Sequence, residues 1–548
     1  MNYAHFNILT NGTPMKRTLI HLTILIVYLF QTPVYGNWSP PISVFNTLSS
    51  QNPNVGVDAK GNAVIIATVS EDLADFYPRA VQLVNGVLQN SQNFPTQGFI
   101  YKNCELTVNS LGNAVATWIE FDLLSFSYFL KSAVLMQNNW SPAVKLSDSD
   151  QFSLQYSILP KVYLNASDQA LAFWPSQTLL DKSFNIHFNR YDTSWKDEKQ
   201  ILSTPSLSTS SAMVGIPSGE AIALWSQNTP LILQAAYYDG STWDVSDLSS
   251  DLIPATSPIT ALAMNNSRQA LLLWNDQSTQ GISSSTYANG VYGSQQSVYV
   301  PPINHTIQSL KVTLDEQNQG TALWISRNSS NDDYFLMTSQ YVDGDWESPR
   351  LLDTAQNGEM LACPNISIDA EGNAYAVWEK DNPAGKGVIY SNHYTQVNRS
   401  WDDLPTLLSN PEEASSNPKL AMNAIGHATA VWTYGNKKNQ IHAAFTKKDN
   451  RDVSSTPLPP TNFKGKQIKI EFLLQYDLVN ILKWSASEDP QVISYSLFRN
   501  DIKIATIPAS SALTFEDHKR SLKKRDVYKL IAVTSDGTES APISITLP

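Results

Sequence analysis

The sequence predicts an all-β fold in which most of the chain repeats one unit. A segment that reads ISIDAEGNAYAVW at residues 366–378 recurs, with clear copies at residues 106–118 and 420–432. Weaker copies end at Trp174, Trp225, Trp274 and Trp324, and a first copy has Ala67 in place of the tryptophan. The copies are spaced by about 50 residues and show no helical periodicity, which is typical of propeller blades rather than helical solenoids.

Each repeat has the pattern of four short strands. Apolar residues alternate in residues 366–369, as in a half-buried strand, and residues 369–373 have the composition of a tight turn. Residues 374–378 are small and apolar, which suits a strand that is packed on both faces. A third strand follows, and an Asp-Gly turn, as in residues 341–346, connects it to a fourth. Four strands in about 52 residues make one blade, so the eight repeats predict an eight-bladed β-propeller.

The two ends of the repeat array complement each other. The chain after residue 36 opens with a fourth-strand pattern, NWSPPISV, that no third strand precedes. The eighth repeat ends at residues 441–447 with a third strand that no fourth strand follows. We therefore expect the N-terminal strand to complete the last blade and close the ring, which removes exposed sheet edges. Because the first copy is weak, seven blades are the main alternative.

One tryptophan at a fixed place in each repeat indicates a structural role. The residues before each tryptophan are small and apolar, which favours a buried wedge between blades over an exposed platform for stacking sugars. The tryptophans assigned to this role are Trp118, Trp174, Trp225, Trp274, Trp324, Trp378 and Trp432.

The N-terminal segment predicts export from the cell. Lys16 and Arg17 precede an apolar run, residues 18–30, and a small residue, Gly36, ends the polar stretch that follows. This is the layout of a secretory signal, and a run of about 13 residues is too short to cross a bilayer comfortably. We expect residues 1–36 to be a signal peptide, with Met15 as an alternative start. The mature protein is then extracellular, periplasmic or attached to the cell surface without a transmembrane anchor; an uncleaved anchor is the alternative.

A Pro-rich segment, PLPP from Pro457, marks a boundary where the repeat stops. We expect the propeller to occupy residues 37–455 and a second domain to occupy residues 456–548. Basic side chains cluster in one loop of this second domain, residues 519–525, where they are either solvated or in contact with an acidic partner.

Three features of the second domain carry a resemblance to a known family. They are a strand with Trp484, the next strand around Tyr495, and Leu522 followed six residues later by Tyr528. With this spacing the segment resembles a fibronectin type III domain. The resemblance implies a β-sandwich in which Trp484 is buried and the Tyr528 hydroxyl bonds back to the backbone at a strand corner. Domains of this family usually act as spacers or binding modules.

The repeats also resemble those of secreted sialidase-like propellers. Residues 239–243 (DGSTW) and 343–346 (DGDW) lie at the third turn, where that family carries its structural Asp box, although the spacing differs. Sialidase chemistry requires three arginines around one carboxylate, a Tyr-Glu nucleophile pair and an acidic Asp. The arginines of the predicted blades are scattered and form no convincing triad. The resemblance therefore leaves glycoside hydrolysis as an alternative function only.

Composition excludes several classes of protein. The net charge of −12 argues against a nucleic-acid binder, which requires a basic face. Two cysteines, Cys104 and Cys363, exclude a disulfide scaffold, and their places in non-adjacent blades predict two free thiols. Histidines are scattered, and the chain has no calcium-loop, phosphate-loop or nucleophile-elbow motif. We therefore expect no metal, no cofactor and no catalytic residue that the sequence can name.

Carboxylates accumulate in the variable loops after the second strands, which gather at one end of a propeller. Variable loops on a rigid ring often bind ligands, so these residues form either an acidic rim for a ligand or ordinary solvated charge. An apolar loop with Phe121, Leu123, Leu124, Phe126, Tyr128 and Phe129 could instead meet a protein. The candidate carboxylates are Glu71, Asp72, Glu120, Asp122, Asp276, Asp332, Asp333, Glu379 and Asp381.

Together these patterns predict a secreted, monomeric, non-enzymatic binding or adhesion protein. Its ligand is expected to be a glycan or a protein at a cell surface, recognised through the propeller loops. A sialidase-like glycoside hydrolase or lyase is the first alternative, and a structural scaffold of the cell envelope is the second.

Overall fold

The computed structural model describes residues 37–547 with short gaps, so the predicted signal peptide, residues 1–36, lies outside the described residues. The regular elements of the described part are all β-strands, which confirms the all-β prediction. Over the same residues, no helix that could cross a bilayer is found. The gaps are residues 97, 101–103, 123–126, 148–159, 178–183, 198, 201–207, 229–230, 250–258, 277–278, 357, 383, 436–438, 447–456, 458, 473–474, 488–491, 501, 510, 522–523 and 535–538.

Within the described residues the repeats form eight consecutive antiparallel sheets, and each sheet takes the number of its repeat. Sheet 1 contains β2 (Ser49–Val57), β3 (Ala63–Ser70), β4 (Tyr77–Val84), β5 (Val87–Leu88) and β6 (Gln92–Asn93). Sheet 2 contains β7 (Gly98–Ile100), β8 (Glu105–Val108), β9 (Ala114–Asp122), β10 (Ser127–Met136), β11 (Asn139–Trp140) and β12 (Val144–Lys145). Sheet 3 contains β13 (Lys161–Leu164), β14 (Ala170–Gln177), β15 (Phe184–Tyr191) and β16 (Lys199–Gln200). Sheet 4 contains β17 (Ser208–Gly215), β18 (Ala221–Asn228), β19 (Leu231–Tyr238) and β20 (Trp243–Ser249).

In the second half of the array the first three strands of each sheet pair in chain order, and the short outer strands pair with the third strand. Sheet 5 contains β21 (Thr260–Met264), β22 (Ala270–Asp276), β23 (Gly281–Ala288), β24 (Val291–Tyr292) and β25 (Gln296–Tyr299). Sheet 6 contains β26 (His305–Leu314), β27 (Gly320–Asn328), β28 (Asp333–Val342), β29 (Asp345–Trp346) and β30 (Arg350–Ala355). Sheet 7 contains β31 (Leu361–Ile368), β32 (Ala374–Asp381), β33 (Gly387–Thr395), β34 (Ser400–Trp401) and β35 (Thr406–Leu407). Sheet 8 contains β36 (Ser415–Met422), β37 (Ala428–Tyr434), β38 (Gln440–Phe445) and the N-terminal β1 (Ile42–Ser43).

The N-terminal strand occupies the outer edge of sheet 8. Ile42 of β1 lies opposite Ala443 of β38 in an antiparallel pair. Ahead of β1, Trp38 bridges to Thr446, is only 2% exposed, and packs edge-on against Tyr375 with ring centroids 5.2 Å apart. The first described strand of the chain thus takes the place of the fourth strand that the eighth repeat lacks.

The first strands of consecutive sheets lie side by side. Among the described residues, β2 of sheet 1 contacts both β8 of sheet 2 and β36 of sheet 8. The series of contacts therefore returns to its start after eight strands. In chain order, the strands of this series are β2, β8, β13, β17, β21, β26, β31 and β36.

The repeated tryptophans lie between consecutive sheets. Trp378 of sheet 7 shares a core cluster with Leu323 and Ile325 of sheet 6. In sheet 1, Ala67 stands at this place and packs with Val431 of sheet 8. A tryptophan here buries roughly 150–250 Å² of side chain, which makes the interfaces between sheets the main hydrophobic core. The tryptophans that are at most 2% exposed at this position are Trp118, Trp174, Trp225, Trp274, Trp324, Trp378 and Trp432.

A five-residue turn, here called the repeat turn, joins the first and second strands of every sheet. In sheet 1 it runs from Asp58 to Asn62, and Asp58 Oδ1 accepts hydrogen bonds of 2.8 Å from the amides of Lys60 and Asn62. An Asp or Asn makes the same pair of bonds in every sheet except sheet 4, where Ile216 stands. The other residues that cap their own turn are Asn109, Asn165, Asn265, Asp315, Asp369 and Asn423.

The fourth residue of the repeat turn has left-handed backbone geometry in all eight sheets. Glycine relieves the steric cost of this conformation in five sheets, whereas Asp168, Arg268 and Asn318 adopt it with φ of 62°. The φ values of the glycines are 82° at Gly61, 84° at Gly112, 108° at Gly219, 89° at Gly372 and 84° at Gly426.

Hydrogen bonds between repeat turns connect neighbouring sheets. Asn423 of sheet 8 donates through Nδ2 to the carbonyl of Asp58 in sheet 1 at 2.9 Å. Asn109 and Asn265 make the equivalent bond to the next sheet. Where the first turn residue is Asp58, whose carboxylate cannot donate, the backbone amide of Ala59 donates across to Ser110 instead, at 3.2 Å. The turns therefore set the relative height of adjacent sheets.

The C-terminal segment forms two further antiparallel sheets. In one, β40 pairs with both β39 and β43, and in the other the order is β42-β41-β44-β45. Trp484 is 6% exposed in the core between them and packs edge-on against Tyr495. The strands are β39 (Thr461–Phe472), β40 (Gln475–Ser485), β41 (Val492–Arg499), β42 (Ile502–Pro508), β43 (Thr514–Asp517), β44 (Asp526–Thr534) and β45 (Ile543–Leu547).

The hydrogen bonds of the Tyr528 hydroxyl differ from those expected at a strand corner. It is fully buried, donates to Asp517 Oδ2 at 2.5 Å and accepts from Asn480 Nδ2 at 3.0 Å, so its partners are side chains rather than backbone. Burial, followed by the bond to Asp517, raises the pKa of Tyr528. Leu522, the other residue of the predicted corner, lies outside the described residues.

The two cysteines are free thiols in different sheets. Cys104 is buried just before β8 of sheet 2, and Cys363 is exposed in β31 of sheet 7.

Replacing Trp378 tests the packing between sheets. We expect Trp378→Ala to lower the free energy of unfolding by about 3–5 kcal/mol, because the indole fills a completely buried site. The indole Nε1 also donates to Asp353 Oδ2 at 2.8 Å. Chemical denaturation measures the change, with Val397→Ala, at a side chain that is 91% exposed, as the control. Equal stability of the two variants would contradict a wedge role for Trp378.

Replacing the turn glycine of sheet 8 tests the left-handed position. We expect Gly426→Ala to destabilise the protein by about 1–2 kcal/mol, because φ is 84° and a side chain is strained there. Gly426→Asn is the matched control, since asparagine already occupies the equivalent position at Asn318. If thermal unfolding places the alanine variant above the asparagine variant, backbone strain does not limit this turn.

Candidate functional site

Two of the sequence-predicted carboxylates lie inside strands rather than in loops. Glu120 of β9 is 1% exposed, and its Oε2 lies 2.9 Å from Lys131 Nζ on the adjacent strand. Asp276, the last residue of β22, is 2% exposed and accepts hydrogen bonds of 3.0 Å from Ser283 and Gln295. Both carboxylates hold strands of their own sheet together, so neither can form part of an accessible rim.

Four further candidate carboxylates have local partners; Glu71, Asp72 and Asp332 are exposed loop residues, whereas Asp333 is half-buried at the start of β28. Asp332 lies 2.6 Å from the Arg327 guanidinium. Asp333 accepts from the Asn331 amide at 2.7 Å. Glu71 is paired with Arg79. Amides of its own loop, first that of Asp75 and then that of Ala74, lower the pKa of Asp72. These contacts order individual loops, and they do not bring the carboxylates together.

Among the candidate carboxylates whose side chains are described, Glu379 and Asp381 are a pair that interacts. Both are half-buried near the end of β32, and Glu379 Oε2 accepts from the backbone amide of Asn417 in sheet 8 at 3.1 Å. Burial raises the pKa of Glu379, and the negative charge of Asp381 raises it further. The side chain of Asp122, at the end of β9, lies outside the described residues.

The aromatic residues of the predicted apolar loop belong largely to strands. Phe121 of β9 and Tyr128 of β10 are half-buried and pack with ring centroids 4.7 Å apart. Phe129 is covered by the Lys145 ammonium group, 3.3 Å from the ring centroid. Leu123, Leu124 and Phe126 lie outside the described residues.

A set of charged residues that the sequence analysis did not single out lies on the first strands. They occupy the position four residues before the repeat turn, here called the inner layer. Because the turns hold neighbouring sheets at one height, these residues lie at the same level along the series of first strands. In sheet order the inner layer contains Asn54, Glu105, Lys161, Ala212, Ala261, Lys311, Asn365 and Lys419.

The inner layer carries more positive than negative charge. Lys161 Nζ lies 3.2 Å from Glu105 Oε1 of the adjacent sheet. Lys311 and Lys419 have no ion-pair partner among the described residues. Desolvation by the surrounding protein lowers the pKa of Lys311 to about 8, and the positive charges of Lys419 and Lys161 add to this shift. The Lys311 side chain is nevertheless exposed to solvent.

Above the inner layer, the first strands of sheets 7, 8 and 1 contain β-bulges. Cys363, Asn417 and Asn52 occupy them with positive φ of 50°, 54° and 55°. Each precedes a proline, and the ladder register shifts there. Burial raises the pKa of the Cys363 thiol, the negative charge of Glu379 raises it further, and the positive charges of Lys419 and Lys311 lower it. The structure thus joins Glu379, a sequence-predicted candidate, to the inner layer.

The alignment of the repeats contains the signal that could have located the inner layer. When the copies are aligned on the Asp or Asn of the repeat turn, Lys161, Lys311 and Lys419 occupy one column. A single lysine in a strand is usually a solvent-facing residue, so the individual repeats do not distinguish the axis of a ring from an outer surface.

The blade arginines are dispersed rather than gathered on one site. Arg190 pairs with Asp192 at 2.9 Å and Arg268 with Glu220 at 2.6 Å, and Arg79 and Arg327 have the partners given above. Arg350 and Arg399 line a small cleft between sheets 6 and 7. This arrangement does not supply the arginine triad that sialidase chemistry requires.

A separate cleft of about 370 Å³ lies between sheets 5 and 6, beside their repeat turns. Tyr287 and Tyr341 form its apolar walls, and Asn318 and Asp343 supply polar groups. The candidate carboxylates lie elsewhere, because they follow the second strands at the end of the sheets opposite to the repeat turns.

Neither a protein-family model nor a curated protein matches the chain. Among solved structures, the β-propeller domain of the Trilobed protease from Pyrococcus furiosus is similar over 66% of this chain and 98% of its own, with 8% identity and a TM-score of 0.38. An α-L-arabinanase of Penicillium chrysogenum, solved with arabinobiose, is similar over 63% and 92%, with 11% identity and a TM-score of 0.36. The acylaminoacyl peptidase of Pyrococcus horikoshii is similar over 79% of this chain and 58% of the peptidase chain, with 8% identity and a TM-score of 0.39. At these values the likeness assigns neither a family nor an activity to the chain.

Proposed function

We propose that this chain is an exported, non-enzymatic binding protein that recognises a glycan or a protein at a cell surface. The observation that carries the proposal is the set of solvent-accessible lysines in the inner layer. Like charges that share an enclosed space repel each other and lower stability, so sequences retain them mainly where a site needs them. A ligand that enters along the axis of the ring would meet these charges.

The architecture of the proposal is a closed eight-bladed propeller. Eight sheets in the described residues, the ring of contacts between their first strands, and the pairing of β1 with β38 support this interpretation over seven blades. A closed ring holds its inner strands rigidly, which keeps a binding site organised before the ligand arrives. Residues 37–455 would form this domain.

Residues 456–548 are proposed to be a fibronectin type III domain. A three-stranded sheet facing a four-stranded one, with Trp484 and Tyr495 in the core between them, supports the assignment. The proposed role is that of a spacer or a second binding module. Export through the segment of residues 1–36, a location outside the cytoplasm and a monomeric state belong to the same proposal.

A glycoside hydrolase or lyase is the second candidate, and one observation favours it. Glycosidases commonly use two carboxyl groups, one of which has a raised pKa and donates a proton. Glu379 has this character beside Asp381. Glu120 and Asp276, by contrast, are buried and already bonded to their own sheets, which leaves fewer groups for the chemistry.

The proposal predicts binding without chemical conversion. We expect purified residues 37–548 to bind saturably to a glycan array or to intact cells at neutral pH, and the bound glycan to keep its mass in mass spectrometry.

Glu379→Gln and Asp332→Asn are the diagnostic variants for this experiment. A smaller glycan product that is absent with Glu379→Gln and present with Asp332→Asn would contradict the binding function and support a hydrolase or lyase. A folded sample that binds neither glycans nor cells would instead favour the envelope scaffold.

A further inference from the structure

We propose that the inner layer is an anion-binding site in which Lys161, Lys311 and Lys419 hold an acidic group, a carboxylate or a sulfate, on the axis of the ring. The inference deepens the proposed function. It rests on that function only in assuming that a glycan carries the acidic group. The anion site itself depends only on the arrangement of the inner layer.

The three lysines approach the axis from different sides. They belong to sheets 3, 6 and 8 in a series of eight first strands, and all three stand four residues before the repeat turn. Strands in contact at a fixed register place equivalent residues at one level. Burial lowers the pKa of Lys311, and the positive charges of Lys419 and then Lys161 lower it further, which agrees with three side chains that share one space.

The charge balance of this space is incomplete. Glu105 is the one carboxylate of the inner layer, and it is already held by Lys161 at 3.2 Å. The amide groups of Asn54 and Asn365 donate to the carbonyls of Cys104 and Pro418 on the next strand, at 3.2 Å and 3.0 Å. Two ammonium groups, those of Lys311 and Lys419, therefore keep their donors available for a ligand.

Packing of the strands does not require the lysines. Sheets 4 and 5 have Ala212 and Ala261 at the same position, so a small apolar side chain is compatible with the fold there. The two alanines also leave room on one side of the axis, opposite Lys419. An anion in this room would neutralise the repulsion between Lys311 and Lys419 and form charge-assisted hydrogen bonds with both.

Cys363 provides a local reporter for the site. Its exposed thiol lies close enough to Lys311 and Lys419 to feel both charges, whereas Cys104 is buried. An uncharged alkylating reagent such as iodoacetamide should therefore modify Cys363 selectively. A bound anion should slow this reaction by restricting access to the ring.

The experiment compares inorganic sulfate with an acidic glycan on residues 37–548. The glycan probe is the hyaluronan tetrasaccharide, which carries glucuronate carboxylates, and neutral chitotetraose is its control. Calorimetry measures affinity, and the alkylation rate of Cys363 measures occupancy, with chloride at equal ionic strength as the reference. The test variant is Lys311→Met with Lys419→Met, which keeps side-chain length and removes both charges. Lys60→Met, at an exposed turn lysine, is the matched control.

We expect sulfate and the acidic tetrasaccharide to slow alkylation in the wild-type protein and in Lys60→Met. In the double variant, affinity should fall at least about tenfold, the value of one charge-assisted hydrogen bond. If the double variant unfolds, Lys311→Met alone, with Lys311→Arg as the rescue, gives the same comparison.

The outcomes separate the anion site from the proposed function. Protection by sulfate that requires the two lysines, without glycan binding, would support the anion site and count against the glycan. Glycan binding that the double variant retains in full would overturn the anion site and leave the proposed function standing. Absence of any lysine-dependent effect of either anion would overturn the anion site.

Discussion

The cap of the repeat turn is the interaction on which the rest of the array depends. One side-chain oxygen of Asp or Asn accepts two backbone amides, and this requires a left-handed residue at the fourth position of the turn. The cap leaves the amide group of an asparagine, or the next backbone amide, directed at the neighbouring sheet. Six of the eight turns in this way close their own hairpin and bond to the next sheet. Because these bonds recur along the array, the first strands share one height, and residues at equal distance from the turn lie at one level.

Sheet 4 shows how far this constraint can be relaxed. Ile216 replaces the capping residue, yet both backbone hydrogen bonds of the turn remain. The Ile216 amide donates to the Glu220 carbonyl, and the Ile216 carbonyl accepts from the Gly219 amide. Ala166 of sheet 3 donates to Pro217 across the interface, so the link to the preceding sheet also survives. Glu220 is in addition paired with Arg268 of sheet 5. Backbone bonds and an ion pair thus take over the part that the side-chain cap has elsewhere.

The repeat architecture could be predicted because its signals are local. The alternating strands, the Asp or Asn of the turn and the tryptophan each depend on a few neighbouring residues, and even Ala67 was recognisable as the place of a missing tryptophan. The ends of the second strands were harder, since Glu120 and Asp276 look like loop residues. Only their partners, Lys131 and Ser283, show that the sheets extend past the tryptophan.

The inner layer could not be predicted for a related reason. Its residues are polar or small, and their common feature appears only when distant repeats are compared. In the C-terminal segment, the Tyr528 hydroxyl was expected to bond to the backbone, but its partners Asn480 and Asp517 are side chains of other strands. Asp517 in turn accepts two bonds of 2.8 Å from Arg499. Such long-range pairs leave little trace in local sequence patterns.

The place of β1 has a consequence for the order in which the chain assembles. The amide of Phe445 bonds to the side chain of Ser39, 406 residues earlier in the sequence. Closing so long a loop costs conformational entropy, and contacts of this separation form late in folding. As the chain emerges amino end first, the segment around Trp38 has to wait, unpaired and apolar, until the eighth repeat has followed it. The first described strand to be synthesised is therefore the last to find its place, and a factor that shields it during this interval would protect the protein from aggregation.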